Sequence, residues 1–458
     1  MFLGRLSKMD KLLSFFYHIP PMPTVKKISI LEIMRNSQKG RDYVEVDVKK
    51  VMEHLNEIYQ CGAKPDGTFT RMAYSREDKK GREVFCGYFE KLGIPTRVDQ
   101  AGNLIARMEG TDPSLPAIMV GSHLDTVPDG GKYDGAVGCM GGLAVCETLI
   151  QDGRKLKHPL EVVVFTDEEG FRFGSGLLGS SALCGEELDI HPEDLDIEGK
   201  TRREVFEGCG MSVEHIAGAK RDPKSIHCFI ELHVEQGGTL DKKQIPVGIV
   251  SSIAGVSRFE VTITGEANHA GSTMMEDRKD ALVAASHFIG QVPETVRTHG
   301  NPYTVSTVGT IRVTPNSVNV VPGTCTFQLE IRDQNDAVMK EIETRLHTTL
   351  EEICQREDVS YTWDPISYHA PAPMNEAVKK AIETAVKKTG TDYMVLPSGA
   401  FHDSLLMTGL VPTGMIFVPS ENGISHSRYE FTKEEDIGLG CAVLLETILE
   451  VDNMEMSC

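Results

Sequence analysis

The sequence predicts an α/β protein with a mostly parallel central sheet, into which a smaller α+β domain is inserted. Three observations predict it. Short apolar runs bounded by Gly, Pro or Asp, as in PAIMVGSHLDT, EVVVFTDEEG and GMIFVPS, have the texture of strands buried on both faces. Between them VSRFEVTITG and TCTFQLEIRD alternate apolar and polar residues, as antiparallel strands covered on one face do. The length of 458 residues exceeds the roughly 100–200 of an ordinary domain.

The elements follow in order. Residues 44–63 carry apolar residues at helical spacing and run to Gly62, and 78–93 read as a second helix closed by Gly93. NLIARMEG, PAIMVGSHLDT and EVVVFTDEEG read as strands. The small-residue helix AVGCMGGLAVCETLIQDG between the last two gives a strand–helix–strand unit with parallel pairing. After residue 250 come VSRFEVTITGEANHAG, the helix DRKDALVAASHFIGQV, the strands VSTVGTIRVTP and TCTFQLEIRD, and the helix AVMKEIETRLHTTLEEICQRE. The helix of PAPMNEAVKKAIETAVKKTG then leads back to a buried strand in GMIFVPS. The division expected is 41–250 with 366–458 for the larger domain and 251–365 for the insertion. Residues 1–40, apolar in LLSFFYHIPPMP but broken by prolines, read as a loosely ordered extension, with a targeting segment as the alternative.

Composition narrows the function. A net charge of −20 argues against nucleic acid or an anionic membrane as partner, since both call for a basic face. Eleven cysteines without a CxxC pair suit reduced thiols in a cytoplasmic protein better than a disulfide framework. GAVGCMGG lacks the spacing and the lysine of a phosphate loop, so helix packing or close approach to a loop accounts for its glycines.

The chemistry gathers at the ends of the buried strands, where ligands of open α/β sheets bind. EVVVFTDEEG ends in Asp167, Glu168 and Glu169, three carboxylates in line that repel unless they reach water or meet positive charge. His123 and Asp125 follow one strand, and Asp134 opens the next helix. Glu231, His233 and Glu235 are expected past a further strand, and His426 in the loop after GMIFVPS. Singly these are weak: a His beside an Asp is more often a hydrogen-bonded pair, and an Asp-Gly a turn. Their joint occurrence points to a dinuclear metal site, because imidazole and carboxylate suit Zn, Mn, Co or Ni. One glutamate of the pair would bind metal and its neighbour would act as general base on a water between the ions. The Asp125 carboxylate is placed to accept the His123 ring N–H and orient the imidazole.

GSHLDTVPDGGKYDG, FTDEEGFRFGSGLLGS, ELHVEQG, GEANHAG, NSVNVVPG, SGAFHD and GISHSRYE, over about residues 45–450, resemble the hydantoinase/carbamoylase branch of the M20 metallopeptidase family. That branch holds N-carbamoyl-L-amino acid hydrolases, β-ureidopropionases and allantoate amidohydrolases. The resemblance implies Asp134 as the bridge, His123 and His233 on one metal, Glu169 and His426 on the other, and Glu168 as general base. His233 stands where the peptidase branches usually carry an acidic residue. The resemblance also implies a lid that forms a homodimer, and His269 reaching the active site from it to steady the oxyanion. Asn319 and Arg332 would hold a substrate carboxylate, with Gln236, Gly399 and His402 lining the pocket. Without the resemblance, Arg332 reads as a structural ion pair. Phe401, Met274 and Met275 depart from the family pattern, and Phe401 bears on substrate size. The function implied is hydrolysis of the ureido bond of an N-carbamoyl-L-amino acid, with allantoate as the close alternative and an aminoacylase or dipeptidase as the distant one. A catalytically inert relative is disfavoured by the retained Glu168.

Overall fold

The computed structural model describes residues 45–456, so the extension expected at 1–40 lies outside it. The central sheet takes β1 (Thr96–Val98), β2 (Leu104–Met108), β3 (Ala117–His123), β4 (Leu160–Phe165), β5 (Ile226–Val234) and β6 (Val247–Ile253). The chain then builds β7 (Gly255–Thr264), β8 (Asn268–His269), β9 (Val305–Thr314), β10 (Val320–Val321), β11 (Thr324–Asp333) and β12 (Ser360–His369). It returns to the first sheet with β13 (Ala372–Pro373), β14 (Tyr393–Ser398) and β15 (Thr413–Val418).

The central order is β1-β2-β4-β3-β5-β15-β6-β13, with β14 also on β6. Strands β4, β3, β5 and β15 run parallel, as does β14 with β6; the joins β2–β4 and β15–β6 are antiparallel. Every residue of β3, β4, β5 and β15 is buried, which is why their sequences are apolar without alternation. Helix α1 (Val48–Tyr59), capped by Asp47, is shorter than the 44–63 expected, because its first and last residues turn away as caps. Helix α2 (Arg76–Lys91) starts at the Ser75 cap and stops before Gly93, whose φ of +71° ends it. Helix α3 (Ala136–Gln151) packs on β3, β4 and β5. A Cβ at Gly138 would meet the Leu232 carbonyl at 2.4 Å, so the glycine-rich helix is a matter of packing, as expected.

Among strands of three or more residues, β1, β6, β12 and β14 were absent from the sequence reading. β6 carries Ser251 and Ser252 before its last residue and β14 is half-exposed with a proline, so neither has the wholly apolar texture that marks their neighbours.

The second sheet, β12-β7-β11-β9, is antiparallel throughout. β11 alternates buried Cys325, Phe327, Leu329 and Ile331 with more exposed residues, and α4 (Ala281–His299) and α5 (Asp336–Arg356) cover the buried face. It spans residues 255–369, past the expected boundary at 365. Proline ordinarily ends a strand, but Pro365 sits at a register shift of the edge strand β12, where a missing N–H is tolerated. The ten described cysteines are all free; seven are buried, Cys86 and Cys184 are intermediate and Cys209 is exposed. Among the described residues no helix is long and apolar enough to cross a membrane.

Candidate metal centre

The carboxyl ends of β3, β4 and β5 and the loop after β15 converge on Asp134, which is 3% exposed. Its Oδ1 lies 3.2 Å from His233 Nε2 and 3.7 Å from His123 Nε2. Its Oδ2 lies 3.3 Å from His426 Nε2, which is itself 3.4 Å from Glu169 Oε2. Glu168 Oε2 stands 3.6 Å from His123 Nε2. His123 and His233 thus face one oxygen of Asp134, while His426 with Glu169 faces the other.

Both buried rings have their tautomer fixed from behind. His123 Nδ1 is 2.9 Å from the Asp125 carbonyl and His233 Nδ1 is 2.9 Å from the Val234 carbonyl. A carbonyl only accepts, so each Nδ1 carries a proton, and once the ring is neutral each Nε2 presents its lone pair toward Asp134. The Gly135 N–H also donates to His233 Nε2 at 3.2 Å. Asp134 Oδ1 has no hydrogen-bond partner although buried. Two ligands about 2.0–2.1 Å from a tetrahedral ion stand roughly 3.4 Å apart, and the measured separations bracket that spacing. The residues therefore fit a divalent cation on each side of Asp134. His123, Asp134 and His233 form one such group, and Asp134, Glu169 and His426 the other.

Electrostatics points the same way. Among the described residues no Lys or Arg pairs with Asp134, Glu168 or Glu169; their near partners are the histidines. Burial, with Glu169 nearby, pushes Glu168 well above the carboxylate range, and burial with Asp134 pushes Glu169 up to about 7. The bond to Asp134 and the Glu169 charge raise His426 to about 9. Although burial opposes it, Glu168 and Asp134 hold His123 well above the usual imidazole range. A site this short of protein cations is strained in a way that dications relieve.

The three carboxylates of the DEEG run part company. Asp167, at φ +55°, is 1% exposed with both oxygens unpartnered, and burial beside Asp125 raises its pKa well up. Glu168 turns to His123 and Glu169 to His426.

Several sequence expectations need correction. The Asp125 carbonyl, not its carboxylate, takes the His123 ring N–H; the carboxylate lies 3.9 Å away. It accepts the backbone N–H groups of Glu168 and Glu169 at 3.3 and 3.1 Å, so it shapes the turn instead of the ring. Glu231 and His233 lie inside β5, not past it. Glu231 accepts from Ser122 Oγ at 2.7 Å and from the Ser404 N–H and hydroxyl at 3.0 and 2.7 Å. Glu235 caps the N–H groups of Thr239 and Leu240, both at 2.8 Å. Neither carboxylate bonds to Asp134, although Glu231 lies close enough to His233 and His402 to make a further three-residue group.

The other site residues divide between the sheets. Gln236 Nε2 donates to Asp134 Oδ2 at 2.8 Å. His402 is buried and edge-on to His233, ring centroids 4.4 Å apart, and burial holds it well below the usual imidazole range. Arg332 Nη1 donates to the Gly399 carbonyl at 2.9 Å and lies over the Phe401 ring at 5.3 Å, while Nε donates to Glu330 at 2.7 Å. His269 and Asn319 are exposed and sit together on β8 and its neighbouring loop, where the Ala270 N–H donates to the Asn319 carbonyl at 3.0 Å. The side-chain bonds of His269 stay within its own loop, at Gly271 and Ser272, and none reaches Asp134. Ser425 and Glu430, which touch Asp134 or its N–H, were missed; their signal was membership of GISHSRYE, but nothing local shows that they reach back to residue 134.

Residues 119–450 match the profile of Peptidase family M20/M25/M40. The chain is 37% identical over 406 residues to an N-carbamoyl-L-amino acid amidohydrolase of Geobacillus stearothermophilus, covering 88% of this chain and 98% of that protein. It is 35% identical over 399 residues to an allantoate amidohydrolase of Escherichia coli (strain K12), covering 86% and 95%. A crystal structure of an amidase of the hydantoinase/carbamoylase family from Burkholderia multivorans superposes with a TM-score of 0.82 at 33% identity, covering 90% of this chain and all of that one.

Proposed function

The chain belongs to peptidase family M20/M25/M40, and from that premise we propose that it is a binuclear metal-dependent amidohydrolase acting on the ureido C–N bond of an N-carbamoyl-L-amino acid. The observation that carries this reading is Asp134, with two Nε2 lone pairs on one oxygen and the His426–Glu169 pair on the other. His233 in place of a carboxylate, together with the similarity to carbamoyl amidohydrolases, supports a ureido over a peptide substrate. Allantoate, also a ureido acid, is the second reading, supported by the similarity to an allantoate amidohydrolase.

Bound divalent ions, Zn or Mn with Co or Ni as further candidates, would supply Lewis acidity at the ureido carbonyl and a lowered pKa for water. His123, Asp134 and His233 would hold one ion, and Asp134, Glu169 and His426 the other. Glu168 accepts the proton of the attacking water and returns it to the leaving nitrogen, releasing the amino acid and a carbamate that decomposes to ammonia and carbon dioxide. Asp125 holds the Glu168–Glu169 turn through its two N–H groups, and His402 backs the His233 ring. Arg332, fixed by Glu330 and the Gly399 carbonyl, binds the substrate carboxylate, and Asn319, which sits beside His269 at the opposite end of β11, joins it by the same movement or partner that brings His269 in. Gln236 and Gly399 line the pocket. The inserted sheet acts as a lid and as the surface of a homodimer. His269 steadies the oxyanion, brought in by lid movement or by the partner subunit.

The test is product release from allantoate, N-carbamoyl-β-alanine, several N-carbamoyl-L-amino acids and one N-acetyl amino acid, with added Mn or Zn. Ammonia reports the ureido acids and free amino acid the acetyl compound. Turnover of a ureido acid that is lost on chelation, and falls about 10²–10⁴-fold in Glu168→Gln with metal content unchanged, is expected. Turnover of the acetyl compound alone would move the protein to the aminoacylases.

A further inference from the structure

We propose that Glu430 is a positioning residue that sets the spacing between Asp134 and His426 and so completes the second metal position. The proposal rests on the binuclear reading above. Glu430 is 5% exposed and lies four residues beyond His426, on a turn closed by its own N–H to the Ser427 carbonyl at 2.9 Å. Its Oε1 accepts the backbone N–H groups of Tyr133 at 2.8 Å and Asp134 at 3.0 Å. The Ser425 hydroxyl stands between the two carboxylates, 2.7 Å from Glu430 Oε2 and 3.0 Å from Asp134 Oδ2. The loop that carries His426 is thereby tied to the loop that carries Asp134, 296 residues earlier in the chain.

The fit is made from both sides. Gly131 faces the carboxylate so closely that a Cβ there would lie 2.0 Å from Glu430 Oε1, so the glycine leaves the space the carboxylate fills. Among the described residues Glu430 has no Lys or Arg partner. A buried carboxylate without a cation is costly, which a purely structural tie through Asn or Ser would avoid. What a carboxylate adds is two oxygens that only accept. They take up both N–H groups and bring no donor to compete for Asp134. Groups that fix a ligand in this way change metal affinity about 10–100-fold when removed.

The experiment titrates the metal-free full chain with Mn²⁺ by calorimetry and follows thermal unfolding in parallel. The parent is expected to bind two ions. Glu430→Ala should keep the tighter ion and the unfolding temperature while weakening the other at least 10-fold. Gly131→Ala, which displaces an intact Glu430, should do the same from the opposite side. Glu430→Gln, whose amide oxygen can still accept both N–H groups, should lose less. Two parental affinities in Glu430→Ala and Gly131→Ala overturn the proposal, as does an equal weakening of both ions with a lowered unfolding temperature. If Glu430→Ala does not fold, Glu430→Gln and Gly131→Ala decide by the same criteria. A parent that binds fewer than two ions overturns the binuclear reading itself, and the proposal with it.

Discussion

Gly135 shows how little latitude the centre allows a single residue. It follows the carboxylate shared by both ligand groups, holds φ at +63°, and would place a Cβ 2.5 Å from the His123 ring. Gly135→Ala is therefore expected to cost about 2 kcal/mol or more of stability even without metal, read from denaturant unfolding of the metal-free chain. Arg332→Lys, which keeps the charge but loses the planar fork, should raise KM for a carboxylate-bearing ureido acid about 10-fold with kcat nearly unchanged. The ring of residues around Asp134 was legible in the sequence because its members lie in or just after the last residues of buried strands, or in the loops that follow them, where apolar texture gives way to His, Asp or Glu. What each side chain does there was less so. Whether Asp125 offers its carbonyl or its carboxylate to His123 depends on a turn that residue types do not encode, and the partnership of Glu430 with Asp134 spans 296 residues of sequence.

Among the elements, β11 makes the clearest case for pattern as cause. Its alternation puts Phe327 against Phe288 of α4, ring centroids 5.4 Å apart, both fully buried. Phe327→Ala should cost roughly 3–5 kcal/mol, visible as a lower denaturant midpoint. If the second sheet unfolds separately from the first, that loss will appear in one of two transitions rather than in a single one. Strands with one decisive texture, fully apolar or strictly alternating, were readable from sequence. β6 and β14 were not, since serines and half-exposed positions dilute them and their parallel pairing joins residues about 145 positions apart. β12 was not read as a strand, and the boundary drawn at 365 falls inside it, at the proline beside its register shift.

At the scale of the whole molecule, the metal-free chain stores protons it would not otherwise hold. Glu169 titrates near 7 instead of 4.5 and His426 near 9 instead of 6.5. Both folded values lie above the unfolded ones, so the folded state binds more protons and loses stability as pH rises. For Glu169 the loss runs from about 4.5 to 7, and for His426 from about 6.5 to 9. Divalent ions bind the deprotonated ligands, so they should restore more stability as pH increases. The gap in unfolding temperature between loaded and metal-free protein should widen from about pH 5 to pH 9; a constant gap would count against Glu169 and His426 as ligands. The way the chain enters and leaves its second sheet has a consequence for lineage. β6 passes into β7 and β12 into β13, and the two crossings run antiparallel, with Val256 opposite His369 and Ile253 opposite Ala372. Such partners lie about 4.5–5.5 Å apart, a gap that a two-residue turn closes. Residues 254–371 can thus be gained, shed or exchanged as a cassette without rethreading a single strand of the central sheet, which leaves the two parts of the molecule free to have had separate ancestries.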